Sequence, residues 1–160
     1  MKSKLNVLVL GSGGREHAIC WKIKESSYLK KLFSIPGNGG ISEVANVYEI
    51  KPTLENIKRF VEEKEIDIVI PGPEKFLVDG VSDYLNVPTF GPSKNASLLE
   101  GSKVFAKNFM KKYDIPTANF EIFDDPLKAK EYIKNKNNLV IKADGLCAGK
   151  GVFVLSLIHI

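Results

Sequence analysis

The sequence predicts an α/β fold, a doubly wound parallel sheet followed by the start of a second unit. Three observations predict it. Short apolar runs at residues 5–10, 31–35 and 67–70 have the length and composition of buried strands. Helical periodicity separates them, which gives a βαβαβ order and therefore parallel pairing. Each run ends in a glycine-bearing turn: Gly11-Ser12-Gly13-Gly14, then Pro36-Gly37-Asn38-Gly39-Gly40, then Gly72-Pro73-Glu74. Ligands of open parallel sheets bind beyond the carboxyl ends of the strands, where these turns fall.

Each element has its own signal. Residues 15–25 read as a helix whose apolar stripe includes Ala18, Ile19 and Ile23. Residues 56–64 read as a second helix, with Thr53 as its cap and Asn56 three residues on. A helix over 76–85 and a short strand near Thr89 and Phe90 follow. Gly91-Pro92-Ser93 punctuates the chain and opens the transition to the second unit. Short helices are expected around 95–99 and 103–112, extended structure over 119–123, and a helix from Pro126 to Asn135. A buried strand over 139–141 and another over 152–155 flank a glycine-rich turn.

Composition narrows the function class. At 160 residues the chain holds one domain or one and a fraction. An apolar share of 44% with 26% charged residues is that of a soluble globular protein. The net charge of +4 comes from scattered lysines without interleaved aromatics, so nucleic acid is not an expected partner. Cys20 and Cys147 are too few for a disulfide framework or a metal site, and Cys20 falls inside a helical pattern as a small core residue. The apolar run at 5–10 is too short for a signal peptide, and no run approaches the ~20 residues of a membrane span. A cytoplasmic protein is expected.

Two anion-binding turns stand out. In the first, Gly13 and Gly14 open a helix, whose free N–H groups and positive dipole end favour a phosphate. Arg15 adds a planar cation suited to bidentate phosphate contact. Glu16 either joins a ligand or is simply stabilised by the same dipole. His17 could act as a base, though such a residue more often packs locally, here with Trp21 one turn on. Asn38 and Glu74, each after a proline-glycine turn, are candidates for gripping a polar ligand. A dinucleotide is a poor match: Glu16 stands at the third glycine of G-x-G-x-x-G, and residues 29–35 lack the acidic ribose partner.

The second turn runs from Lys142 to Gly151. Its glycines allow close backbone approach to an anion, and Lys142 and Lys150 supply mobile charge, so it suits a polyphosphate. It is not a Walker loop. Only three residues separate Gly145 from Gly149, Gly151 replaces the hydroxyl residue, and a strand follows where a helix should.

Taken in order, these motifs resemble the glycinamide ribonucleotide synthetase family of the ATP-grasp superfamily. The resemblance rests on residues 7–18, Pro36-Gly37-Asn38, Gly72-Pro73-Glu74, Phe90-Gly91-Pro92-Ser93, residues 99–103 and residues 141–152. It implies a Rossmann-like, pre-ATP-grasp domain over 1–100 that binds phosphoribosylamine, and the incomplete start of an ATP-grasp domain over 101–160. The implied reaction joins glycine to 5-phosphoribosylamine through an acyl phosphate, with ATP consumed. Gly13, Gly14, Arg15 and Glu16 would lie at the phosphate and ribose of phosphoribosylamine, with Asn38, Gly72, Glu74 and Asp144 completing that site. Lys103 and Lys142 would hold ATP phosphates, under a mobile loop that includes Gly145, Gly149, Lys150 and Gly151.

Two departures from the family pattern stand out. Cys147 replaces a usual alanine, a change tolerable in size, and residues 156–160 do not resemble the family's continuation. The family's Mg2+ (or Mn2+) ligands are expected beyond residue 160, none being assigned within the chain, so this piece alone is expected to be inactive. The alternatives are a carboxylase-type or other purine enzyme of the same superfamily, or a non-enzymatic mononucleotide-binding module. Expected partners are small molecules, with neither nucleic acid nor membrane among them.

Overall fold

The computed structural model describes residues 4–134, 136 and 138–155. The chain divides into two units, Met1–Ser97 and Leu98–Ile160. The first contains β1 (Leu5–Gly11), α1 (Gly14–Lys24), β2 (Leu29–Pro36), α2 (Gly39–Ser42), β3 (Asn46–Val47), α3 (Leu54–Glu63), β4 (Ile68–Pro71), α4 (Glu74–Asp79) and α5 (Val81–Tyr84). Its strands form a sheet in the order β3-β2-β1-β4, and every pairing is parallel.

Alternation along the strands fills both faces of this sheet, as it must when helices cover both sides. Leu8 and Leu10 of β1 join Phe33 and Ile35 of β2, Val69 of β4, and Ile57 and Phe60 of α3 in one core. Phe76 of α4 and Val81 of α5 close that layer. Val7 and Val9 point the other way, into a second core with Leu32, Cys20 of α1 and Ile41 of α2. Each fully buried aliphatic side chain contributes about 1.5–3 kcal/mol. The chain moves from β1 outward to β2 and β3, then returns to place β4 on the other side of β1. The topological switch point therefore lies between the carboxyl ends of β1 and β4, where the crevice of such folds opens.

Several elements differ from the sequence expectation. β2 begins two residues early, because Leu29 pairs with Leu5. β3 has only two residues, too few to leave a periodic signal. The single helix expected over 76–85 is two, since Gly80 at φ 95° terminates α4 in the left-handed conformation. Thr89 makes an isolated parallel bridge to Val69 in place of a strand. No strand forms over the expected extended stretch 119–123. Thr53 caps α3 as expected, its Oγ1 accepting from the Asn56 N–H at 3.2 Å.

α6 (Lys94–Gly101) begins in the first unit and ends in the second. The second unit then comprises α7 (Lys103–Lys112), α8 (Pro126–Lys134), and a hairpin of β5 (Leu139–Lys142) with β6 (Val152–Leu155). The end of the last helix as read from sequence, Asn135, and the doubtful tail 156–160 lie outside the described residues. Among the described residues, every buried apolar side chain falls between Val7 and Leu85, and no helix is long and apolar enough to cross a membrane.

Candidate functional site

The turn after β1 is built around one carboxylate. Gly11 sits at φ 128°, a conformation that side chains avoid, and a Cβ there would lie 2.7 Å from both Glu16 Cγ and Pro73 Cδ. Gly13 is extended and caps α1, and Gly14 opens the helix. Glu16, in the first turn, folds back so that its Oε2 accepts the Gly13 N–H at 2.7 Å. This is the reciprocal half of a capping box, with a carboxylate at the positive end of the helix dipole. Its other oxygen, Oε1, accepts from Arg15 Nε at 2.9 Å. Glu16 is 3% exposed, so no face of it is left for solvent.

Arg15 thereby lies across the crevice mouth with its side chain 60% exposed and its Nη2 3.8 Å from Glu74 Oε2. The hydrogen bond to Glu16 raises the guanidinium above its ordinary range, partial burial opposes it, and the charges of Glu16 and Glu74 add to the rise. Glu74 is the first residue of α4, placed by the Gly72-Pro73 turn after β4. Gly13, Gly14, Arg15, Glu16, Gly72 and Glu74 thus converge at the switch point.

Asn38 reaches the same turn from β2. Its Nδ2 donates to the Ser12 carbonyl at 2.7 Å, while its Oδ1 accepts the Ile41 N–H at 2.8 Å and caps α2. Both ends of the amide are engaged by the protein. An open cleft of about 530 Å³ lies past this turn, with Pro36, Gly37, Asn38 and Lys51 among its walls. His17 packs rather than projecting freely: a Cβ on Gly40 would lie 2.6 Å from its Cε1. Its neighbour is Gly40 of α2, whereas Trp21, the partner expected from the sequence, is 57% exposed. Cys20 is fully buried, and that burial, with the nearby charge of Glu16, pushes its thiol up to about 11.

Asp144 belongs to the second unit, and there it closes the glycine-rich turn onto α7. The Val104 N–H donates to its Oδ1 at 3.2 Å, and Ser102 Oγ lies 3.2 and 3.1 Å from its two oxygens. Burial pushes the Asp144 carboxyl up. The bonds from Val104, Gly145, Ser102 and Lys103 outweigh it and hold the group below its ordinary range. Lys103 Nζ donates to the Gly145 carbonyl at 2.7 Å. The sequence reading missed Ser102, which caps α7 by accepting the Phe105 N–H. A serine directly before the helical run was the available signal.

Beyond Lys142, which pairs with Val152, the Ala143 N–H donates to the Gly151 carbonyl at 2.8 Å and extends the hairpin ladder. Gly145 (φ 81°) and Gly149 (φ 76°) turn the loop, and a Cβ on either would meet nothing within 4 Å. Gly151 is different, since a Cβ there would lie 2.6 Å from the Cβ of Cys147. Lys142 and Lys150 are exposed on either side of this open loop. The donor set is glycine backbone with lysine charge, which fits a polyphosphate. A divalent metal does not find its ligands here: among the described residues no group of three or more His, Cys, Asp or Glu could hold one.

Known proteins resemble this chain along nearly its whole length. The family described as phosphoribosylglycinamide synthetase, N domain, matches residues 5–100. The family described as phosphoribosylglycinamide synthetase, ATP-grasp (A) domain, matches residues 101–158. A phosphoribosylamine–glycine ligase of Mesorhizobium japonicum is 50% identical over 155 residues, covering 94% of this chain and 36% of the relative. A bifunctional purine biosynthetic protein of Pichia angusta is 48% identical over 160 residues, covering 94% of this chain and 20% of the relative. The crystal structure of the phosphoribosylamine–glycine ligase of Thermotoga maritima superposes with a TM-score of 0.75 at 37% identity, over 95% of this chain and 36% of that one. The chain thus spans between a fifth and somewhat over a third of the length of the curated relatives it matches.

Proposed function

This chain belongs to the phosphoribosylglycinamide synthetase family, and on that premise we propose that the whole protein ligates glycine to 5-phosphoribosylamine in purine biosynthesis, converting ATP to ADP. The glycine carboxylate takes the terminal phosphoryl group, and the ribosylamine nitrogen then displaces phosphate from the acyl carbon. Residues 1–100 form the phosphoribosylamine domain and 101–160 the start of the ATP-grasp domain, and the reaction is cytoplasmic.

The observation that carries this reading is the start of α1 at the switch point, where the Gly14 turn is open and Arg15 is held across the crevice mouth. A sugar phosphate placed there meets free helical N–H groups, the positive dipole end and a planar cation. Gly14 and Arg15 take the phosphate, while Gly13, Glu16, Asn38, Gly72 and Glu74 shape the site around it and the ribose, and Asp144 belongs to the same functional set. Lys103, Lys142 and Lys150 offset charge on the ATP phosphates, with Gly145, Gly149 and Gly151 giving the loop its close backbone approach. Mg2+ or Mn2+ would further neutralise those phosphates.

Calorimetry tests the first half of the proposal. Ribose 5-phosphate is expected to bind the chain, and Arg15→Ala to abolish that binding. If ribose 5-phosphate gives no heat while an adenine nucleotide binds in an Arg15-dependent way, the phosphoribosylamine assignment fails.

A further inference from the structure

We propose that Glu16 is a positioning residue, which sets the substrate-binding turn and the Arg15 guanidinium without itself touching ligand. The inference rests on the sugar-phosphate reading of the crevice and assigns Glu16 a role within it. Both carboxylate oxygens have protein partners, Gly13 N–H at 2.7 Å and Arg15 Nε at 2.9 Å, and the residue is 3% exposed. A carboxylate facing a phosphate would also repel it. Bound to Glu16 through Nε alone, Arg15 commits neither terminal nitrogen to that carboxylate, and Nη2 lies 3.8 Å from Glu74 Oε2, so Glu16 orients the cation without occupying its fork.

The glycines around the site divide along the same line. Neither Gly13 nor Gly72 has positive φ, so neither is glycine for backbone reasons. A Cβ on Gly13 would lie 2.8 Å from Glu16 Oε2, and one on Gly72 would collide with Glu16 Oε1 and Cγ. A Cβ on Gly11 would lie 2.7 Å from the Cγ of the same side chain. Gly14 alone of this group has nothing within 4 Å, which leaves its surroundings open to a ligand. Gly11, Gly13 and Gly72 therefore make room for Glu16, and Gly14 makes room for substrate. Gly72 acts on the site only by admitting Glu16.

The experiment is a double-mutant cycle on the full 160-residue chain, read by calorimetry with ribose 5-phosphate. Glu16→Gln keeps the shape but cannot accept both bonds, and is expected to weaken binding about tenfold, the loss of one charge-assisted bond. In an Arg15→Lys background, which lacks the Nε donor, Glu16→Gln is expected to add little further loss. Independent, additive losses would mean that Glu16 meets the ligand directly, and would overturn the proposal. A ligand-free arm uses Gly72→Ala, expected to lower Tm in the wild type and to cost little in a Glu16→Ala background. An equal Tm loss in both backgrounds overturns the proposal too. If wild-type chain fails to bind ribose 5-phosphate, the sugar-phosphate reading falls, while the Gly72 comparison still decides whether Glu16 sets the turn.

Discussion

Single side chains decide what each turn can offer a ligand. Arg15, Asn38 and Lys103 are all polar groups that a sequence marks as available, yet each is already bonded: to Glu16, to Ser12 and Ile41, and to Gly145. Arg15 and Lys103 retain further donors, because a guanidinium has five N–H groups and an ammonium three. Asn38 has both ends of its amide bonded, so it serves the site by tying the turn after β2 to the turn after β1. Asp144 is the residue whose ionisation is coupled to loop structure. Its folded carboxyl lies below the ordinary 3.8, so its contribution is complete above that pH and disappears as acidification passes through the lowered value. The Val104 amide resonance should therefore titrate with a midpoint below 3.8, and Asp144→Asn should remove the transition. A midpoint at or above the ordinary value would show that the cap is not formed in solution.

At the scale of elements, capping governs where helices start. Thr53, Asn38 and Ser102 each accept an N–H three residues on, at Asn56, Ile41 and Phe105. Thr53→Ala should cost about 1 kcal/mol in urea unfolding, and an unchanged midpoint would contradict the cap. Most of these elements were legible in the sequence, because apolar runs, glycine turns and cap residues are short-range signals. α7 occupies the residues expected of it, Lys103–Lys112. The misses have local causes as well: a two-residue β3 carries no period, and Gly80 breaks a run whose apolar helical pattern continues on both sides of it.

For the molecule as a whole, the two units differ in how much they bury. The described buried apolar residues all lie between Val7 and Leu85, while α7 and α8 have no buried residue and Val140, Phe153 and Val154 of the hairpin are 52–70% exposed. Regions with few buried contacts open at low free energy. Amide exchange should be slowest in β1, β2 and β4 and much faster in α7, α8 and the hairpin, as followed by mass spectrometry. Equal protection in both units would refute this. Sequence by itself determined the parallel α/β class, the Thr53 cap of α3 and the family. Those follow from residue type and spacing along the chain, which local sterics and periodicity translate directly into structure. The tertiary structure alone decided that Glu16 fills the space left by Gly72, that Asn38 holds Ser12, and that Asp144 caps α7. Those contacts join residues far apart in sequence, 26 positions for Asn38 and Ser12 and 42 for Ser102 and Asp144. No local pattern encodes such a meeting, which exists only once the packed sheet and the closed hairpin bring the turns together.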